Sequence, residues 1–198
     1  MYTEETRLHP VHSLTRKKQA TTYLPASSMA WSEGELSIRD LYGDPYNQPI
    51  NNQCVTAGNT NAIYYEGLYA ALIVGPEKCI RILQPNVPNH DLSTLAVGIF
   101  NVCIGNDKEA SKLFQQFEAN HYDLRSDAIV GLGADLEWRL ISFGAPYMNR
   151  YGASFKFPDD EVIKSPSCLY GHDYTVDFEG SCKNCRLFWI CCNISHIL

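Results

Sequence analysis

Residues 89–105 read NHDLSTLAVGIFNVCIG, and this stretch decides the fold. Its apolar residues recur three and four positions apart, which is the spacing of one face of an α-helix. They are Leu92, Leu95, Ala96, Ile99, Phe100 and Cys103. Asn89 and Asp91 supply side-chain oxygens that cap the start of a helix, and Gly105 is typical of a helix end. The stretch therefore predicts a buried helix.

The same helical spacing continues on both sides of this stretch. Residues 59–74 form one such pattern, and a short second one begins at Pro76, a residue suited to the first turn of a helix. Beyond residue 105, one helix is predicted from Asp107 and a longer one over residues 124–143. Together these five helices predict a helical core over residues 53–145.

The two ends of the chain differ from the core in residue composition and in the spacing of their apolar residues. Residues 1–52 are rich in Thr, Ser, Pro, Tyr and Asn and show little periodicity, which predicts an extended N-terminal arm. After residue 145 the sequence alternates over 153–157, 173–178 and 186–192, a pattern typical of strands. The last two would form a hairpin around residues 179–184. The fold class predicted is α+β in a single domain: arm 1–52, core 53–145 and a small β-containing, Cys- and His-rich end, 146–198.

Composition limits the class of protein. The chain has 198 residues, 45% of them hydrophobic, which is enough for one core. A net charge of −6 argues against a surface that binds phosphates throughout, but the basic run Arg16, Lys17, Lys18 makes nucleic acid a candidate partner. No apolar run is long enough for a signal peptide or a membrane span. We therefore expect a soluble, intracellular protein, cytoplasmic or nuclear, with reduced cysteines.

The C-terminal cysteines and histidines are the strongest candidate site. Cys182-x-x-Cys185 is a usual way of offering two sulfurs to one metal ion, and Cys168 with His172 can complete a tetrahedral zinc site. This set predicts one structural zinc ion. Two alternatives stay open from the sequence. The second pair of ligands could be Cys191 with His196, or the cysteines could pack in a hairpin core that binds no metal.

A second constellation would carry chemistry of another kind. A thiol hydrolase needs a nucleophilic cysteine, a histidine that takes its proton and a side chain that orients the imidazole. Cys54, His172 and Asn184 could fill these roles, with Gln48 as the oxyanion donor. The spacing of Gln48 and Cys54 resembles that of papain-like cysteine proteases. The resemblance implies a papain-like hydrolase, and it competes with zinc because His172 cannot serve both sites.

A third feature suggests partner binding. Tyr147, Arg150 and Tyr151 lie in a Gly- and Pro-containing run after the core, and tyrosine and arginine are enriched where proteins bind one another or stack on bases. A helical core flanked by an arm and such a run is similar in layout to nucleocapsid and coat proteins. The preferred prediction is a non-catalytic binding and assembly module that contacts protein partners, including its own copies, and nucleic acid.

Overall fold

The computed structural model of the protein describes residues 52–168 and 182–198. These residues belong to one compact unit and contain seven α-helices. The helices are α1 (Asn52–Thr56), α2 (Thr60–Ile73), α3 (Pro76–Leu83), α4 (Asp91–Cys103), α5 (Asp107–Asn120), α6 (Asp127–Ser142) and α7 (Arg186–Ile197). A 3₁₀ turn, Gln84–Asn86, follows α3. The prediction of a mainly helical protein is confirmed for the described residues. The predicted arm, 1–52, lies outside them except for Asn52, which begins α1.

Helix α4 is the centre of the packing. Every residue from Ser93 to Cys103 is buried, and α3, α5, α6 and α7 all pack against this helix. The approach of α5 is close, because a Cβ placed on Gly98 would lie 2.6 Å from Cε1 of Phe114. A helix buried on all sides is expected to be mostly apolar, as α4 is. Its buried polar side chains, Ser93, Thr94 and Asn101, all form hydrogen bonds.

Local capping explains several helix boundaries. Asn59 is the N-cap of α2, where its Oδ1 accepts a hydrogen bond from the Ala62 N–H at 3.0 Å. His90 caps α4 in the same way, with Nδ1 accepting from the Ser93 N–H at 3.1 Å. Pro76 occupies the first turn of α3, as predicted. Side-chain acceptors satisfy backbone N–H groups that have no partner inside the helix.

The predicted strand at residues 186–192 is wrong, because these residues form most of α7. This helix packs on α6 and α4 and buries Leu187, Cys191 and Ile194, which are spaced at four and three positions. The helical spacing is hidden in the sequence because the intervening Phe188-Trp189-Ile190 is also apolar. A short continuous apolar run does not distinguish a strand from a buried helix.

Residues 153–157 are also not a strand but an irregular segment. Ser154 donates a hydrogen bond from Oγ to the carbonyl oxygen of Cys103 at 2.6 Å, which fixes the segment against the end of α4. Phe155 and Phe157 turn toward α7, with ring centroids 6.0 Å and 5.2 Å from that of Phe188. The third predicted strand, 173–178, lies outside the described residues, and those that are described contain no strand.

None of the helices in the described part of the chain is long and apolar enough to cross a membrane.

Candidate metal centre

Three of the four predicted zinc ligands meet at the N-terminal end of α7. The sulfur atoms of Cys168, Cys182 and Cys185 all lie within 4.8 Å of one another. The Sγ of Cys168 is 3.8 Å from that of Cys182 and 3.2 Å from that of Cys185. The fourth predicted ligand, His172, lies outside the described residues.

These distances fit a tetrahedral zinc site. A zinc–sulfur bond of about 2.3 Å places two sulfur ligands of a tetrahedron about 3.8 Å apart. The separation of Cys168 and Cys182 has this value, and that of Cys168 and Cys185 is somewhat shorter. The three thiols can therefore bind one ion with a small outward movement of Cys185 or Cys168.

A tight turn and a helix end position the cysteines. The N–H of Cys185 donates to the carbonyl oxygen of Cys182 at 3.0 Å, which closes the turn just before α7 begins. Arg186, the first residue of α7, then contacts the start of α6: its guanidinium donates to Oδ1 of Asp127 at 2.7 Å and to the carbonyl oxygen of Arg125 at 2.9 Å. These two contacts of Arg186 fix the turn against the start of α6.

The thiols of Cys182 and Cys185 differ in their tendency to ionise. Burial raises the pKa of the Cys182 thiol, but hydrogen bonds from the backbone N–H of Asn184 and from the other two thiols outweigh it and lower that pKa overall. Burial and the neighbouring thiols raise the pKa of Cys185 well above its usual range. Backbone N–H donors to sulfur favour the thiolate form, which is the form that binds metal.

The alternative pairing of Cys191 with His196 is not assembled at this centre. Cys191 is fully buried in the face of α7 that packs on the core, whereas His196 is exposed. Among the described residues, Cys168, Cys182 and Cys185 are the group of three or more Cys, His, Asp or Glu side chains close enough to share an ion. Cys168, Cys182 and Cys185 belong to the preferred ligand set, whose fourth member, His172, stays a prediction.

The residues proposed for thiol hydrolysis lie on separate elements where they are described. Cys54 is half-buried in α1, which packs on α2. Asn184 is in the turn between Cys182 and Cys185 and lines a cavity of about 280 Å³ together with Glu118 and Arg125. Gln48 and His172 lie outside the described residues, and the hydrolase stays a prediction.

The residues proposed for partner binding are largely accessible. Tyr147 is 52% exposed, Arg150 is exposed, and Tyr151 is half-buried. Met148, 61% exposed, accepts hydrogen bonds at its sulfur from the Arg150 guanidinium, so these two side chains are in contact at the surface. The exposed Tyr147 precedes Met148 in the chain. Arg16, Lys17 and Lys18 lie outside the described residues.

One polar cluster in the core was not predicted. Arg139 on α6 is only 8% exposed; its Nε donates to Oδ2 of Asp135 at 2.5 Å, and its guanidinium also donates to the hydroxyl of Tyr65. The guanidinium carbon lies 4.8 Å from the centre of the Tyr65 ring, within the range of a cation–π contact. The only signal in the sequence was the carboxylate–arginine spacing of four residues.

We compared the chain with protein-family models, curated proteins and solved structures, and none of them matches it.

Proposed function

We propose that the protein is a non-catalytic binding and assembly module whose C-terminal helix is stabilised by one structural zinc ion. The observation that supports the zinc ion is the meeting of the Cys168, Cys182 and Cys185 sulfur atoms within 4.8 Å. Thiolates at this spacing suit Zn²⁺ better than a hard cation such as Mg²⁺, which prefers oxygen ligands.

His172 is the proposed fourth ligand. It follows Cys168 by four residues, and its chain segment joins two cysteines that already lie together. Three thiolates and one imidazole fill the tetrahedron, and a zinc ion without an open position has a structural and not a catalytic role. The ion would link the segment that ends at Cys168 to the first turn of α7, so metal binding would contribute directly to folding.

The surface formed by Tyr147, Met148 and Arg150 is the proposed contact for a partner. Aromatic, methionine and arginine side chains bind well because they combine apolar area with directional hydrogen bonding. Two backbone hydrogen bonds hold the segment on the end of α7: Tyr147 N–H to the Ile197 carbonyl at 2.9 Å, and Asn149 N–H to the His196 carbonyl at 3.1 Å. The zinc ion would therefore stabilise the helix on which the contact surface rests. The proposed partner is another protein or a second copy of this chain. Nucleic acid is a further proposed ligand, which would bind through Arg16, Lys17 and Lys18.

Native mass spectrometry of freshly purified protein tests the zinc ion. We expect one tightly held zinc per chain that only a strong chelator removes. Cys182→Ser should lose this zinc, whereas Cys54→Ser, which changes a thiol in α1, should keep it. His172→Ala should weaken binding and lower stability. Purified protein without zinc, or Cys182→Ser protein with its full zinc content, would overturn the proposal.

Light scattering and nucleic-acid binding at low salt test the binding role. We expect self-association that rises with concentration and is reduced by Tyr147→Ser and Arg150→Ala. A matched control is Trp138→Ser on α6, which removes another aromatic side chain that is 62% exposed. A strict monomer at high concentration that also binds no nucleic acid would remove support for this role.

A further inference from the structure

A second cavity lies at the other end of α7, away from the three cysteines. Its volume is about 470 Å³, and it is bounded by the C-terminal half of the helix and by the irregular segment that follows residue 148. Among its lining residues are Cys192, His196 and Asn149. A thiol, an imidazole and a carboxamide therefore border one space.

The helix itself brings two of these groups together. Cys192 and His196 are four residues apart in α7, and such residues lie one above the other on the same helix face with their Cβ atoms about 5–6 Å apart. Cys192 is half-buried, His196 is exposed, and both line the cavity. From the sequence, we considered Cys191 as the partner of His196. In the structure, Cys192 and not Cys191 lines the cavity with His196.

The segment after residue 146 adds the third group. Asn149 has a φ of 46°, a left-handed conformation that asparagine tolerates better than most residues. Its N–H donates to the His196 carbonyl, which places residue 149 beside the helix end. Its carboxamide fills the space in which a Cβ on residue 152 would lie, since such a Cβ would be 2.7 Å from Oδ1 of Asn149. Gly152 thus leaves room for the amide at the cavity wall.

We propose that Cys192, His196 and Asn149 form a second metal site, which binds an exchangeable zinc ion at the cavity. Thiolate and imidazole are the preferred ligands of zinc, and the carboxamide oxygen supplies a weaker third one. A water molecule would complete the tetrahedron because the cavity opens to solvent. The site is separate from the first, since Cys185 and His196 are eleven residues apart along α7, roughly 16 Å at the helical rise of 1.5 Å per residue.

Thiol hydrolysis is less well supported by the same three side chains. A nucleophilic cysteine requires free N–H groups that bind the oxyanion of the reaction intermediate. Cys192 and Asn193 lie inside α7, where the backbone N–H groups are used by the helix. A metal ion needs side-chain ligands only, and the cavity supplies three.

Zinc titration of the full chain, followed by native mass spectrometry, tests the inference. Wild-type protein should take up a second zinc in addition to the tightly held one. His196→Ala and Cys192→Ser should weaken this second event by at least about tenfold while the first zinc stays bound. His196 is exposed, so its substitution should leave the fold intact. Cys54→Ser and His121→Ala serve as matched controls and should bind both ions.

Cys182→Ser separates the two proposals. It should lose the tight zinc and keep the second, weaker one. If His196→Ala still takes up the second zinc, or if wild-type protein takes up only one, the cavity is not a metal site, whatever the result at Cys182. Gly152→Ala, which would displace the Asn149 carboxamide, should weaken the second event without affecting the first.

Discussion

Gly133 of α6 and Ile190 of α7 are in direct contact: a Cβ placed on Gly133 would lie 2.7 Å from Cδ1 of Ile190 and 2.8 Å from its Cγ1. All three of the nearest atoms belong to this one β-branched side chain, which has few alternative rotamers. The absence of a side chain at residue 133 therefore sets how closely the C-terminal helix approaches the bundle.

Gly133→Ala should destabilise the protein. The added methyl group would force Ile190 or the whole of α7 outward, at a cost of about 1–3 kcal/mol that exceeds the gain of about 1 kcal/mol in helix propensity. Gly131→Ala is the matched control, because a Cβ at this exposed position of the same helix would have no atom within 4 Å. Urea unfolding should show Gly131→Ala to be more stable than wild type. Equal stabilisation by both substitutions would contradict the close contact.

Asp135→Ala should destabilise the core by about 1–3 kcal/mol, because it removes a charge-assisted hydrogen bond from the buried Arg139. The double variant Asp135→Ala/Arg139→Met should lose less stability than the sum of the two single variants, since neither charge is then left without its partner. Lys112→Ala is the control: it breaks an ion pair with Glu109 whose side chains are 69% and 53% exposed, and its effect should stay below about 1 kcal/mol. If chemical denaturation showed that the stability losses of the two single variants add up in the double variant, Asp135 and Arg139 would not be coupled.

Acidification should weaken the protein through His90. Its Nδ1 accepts the Ser93 N–H and must be unprotonated to do so. Burial, together with His121 and Arg139, lowers the pKa of His90 in spite of the opposing charge of Asp91. The neutral ring is thus favoured in the folded state. Its contribution to stability is present above the unfolded pKa of about 6.5 and is lost as the pH falls through the lower folded value.

His90→Asn tests this pH dependence, because asparagine keeps a capping oxygen but does not titrate. We expect the free energy of unfolding of this variant to fall less than that of wild type between neutral pH and about pH 5. The measurement is urea unfolding at a series of pH values. If the free energy of unfolding depended on pH in the same way in both proteins, His90 would not be the titrating group.

Removal of the zinc ion proposed at Cys168, Cys182 and Cys185 should loosen the start of α7. Without the ion, Cys185 and Cys168 would lose their common metal bond, while Arg186 would keep its contacts to Asp127 and the Arg125 carbonyl. Amide hydrogen exchange should become faster over residues 187–190 after chelation and remain slow in α4, whose residues are buried throughout. Cys182→Ser should exchange fast at 187–190 from the beginning and respond little to the chelator. Unchanged exchange in wild-type protein would argue that zinc has no structural role.

Local patterns predicted most of the helical fold because the relevant interactions are local. The i, i+3, i+4 spacing in residues 89–105 and the cap at Asn59 act within one or two turns of chain, so α2, α3, α4 and α5 begin close to the predicted residues. Helix α6 begins at Asp127, later than predicted. The preceding residues form a turn in which Oδ1 of Asp123 accepts from the Arg125 N–H at 2.7 Å, a competing local bond that the apolar spacing does not reveal.

The sequence by itself determined the helical core and the chemical types of the candidate metal ligands. Tertiary structure alone decided that residues 186–197 are a helix, because a continuous apolar run takes its conformation from the elements that bury it, here α4 and α6. It also decided which donors meet. The sulfur atoms of Cys168, Cys182 and Cys185 meet although Cys168 and Cys182 are 14 positions apart in the sequence. Cys192 and His196 line one cavity because a helix places residues four positions apart on the same face.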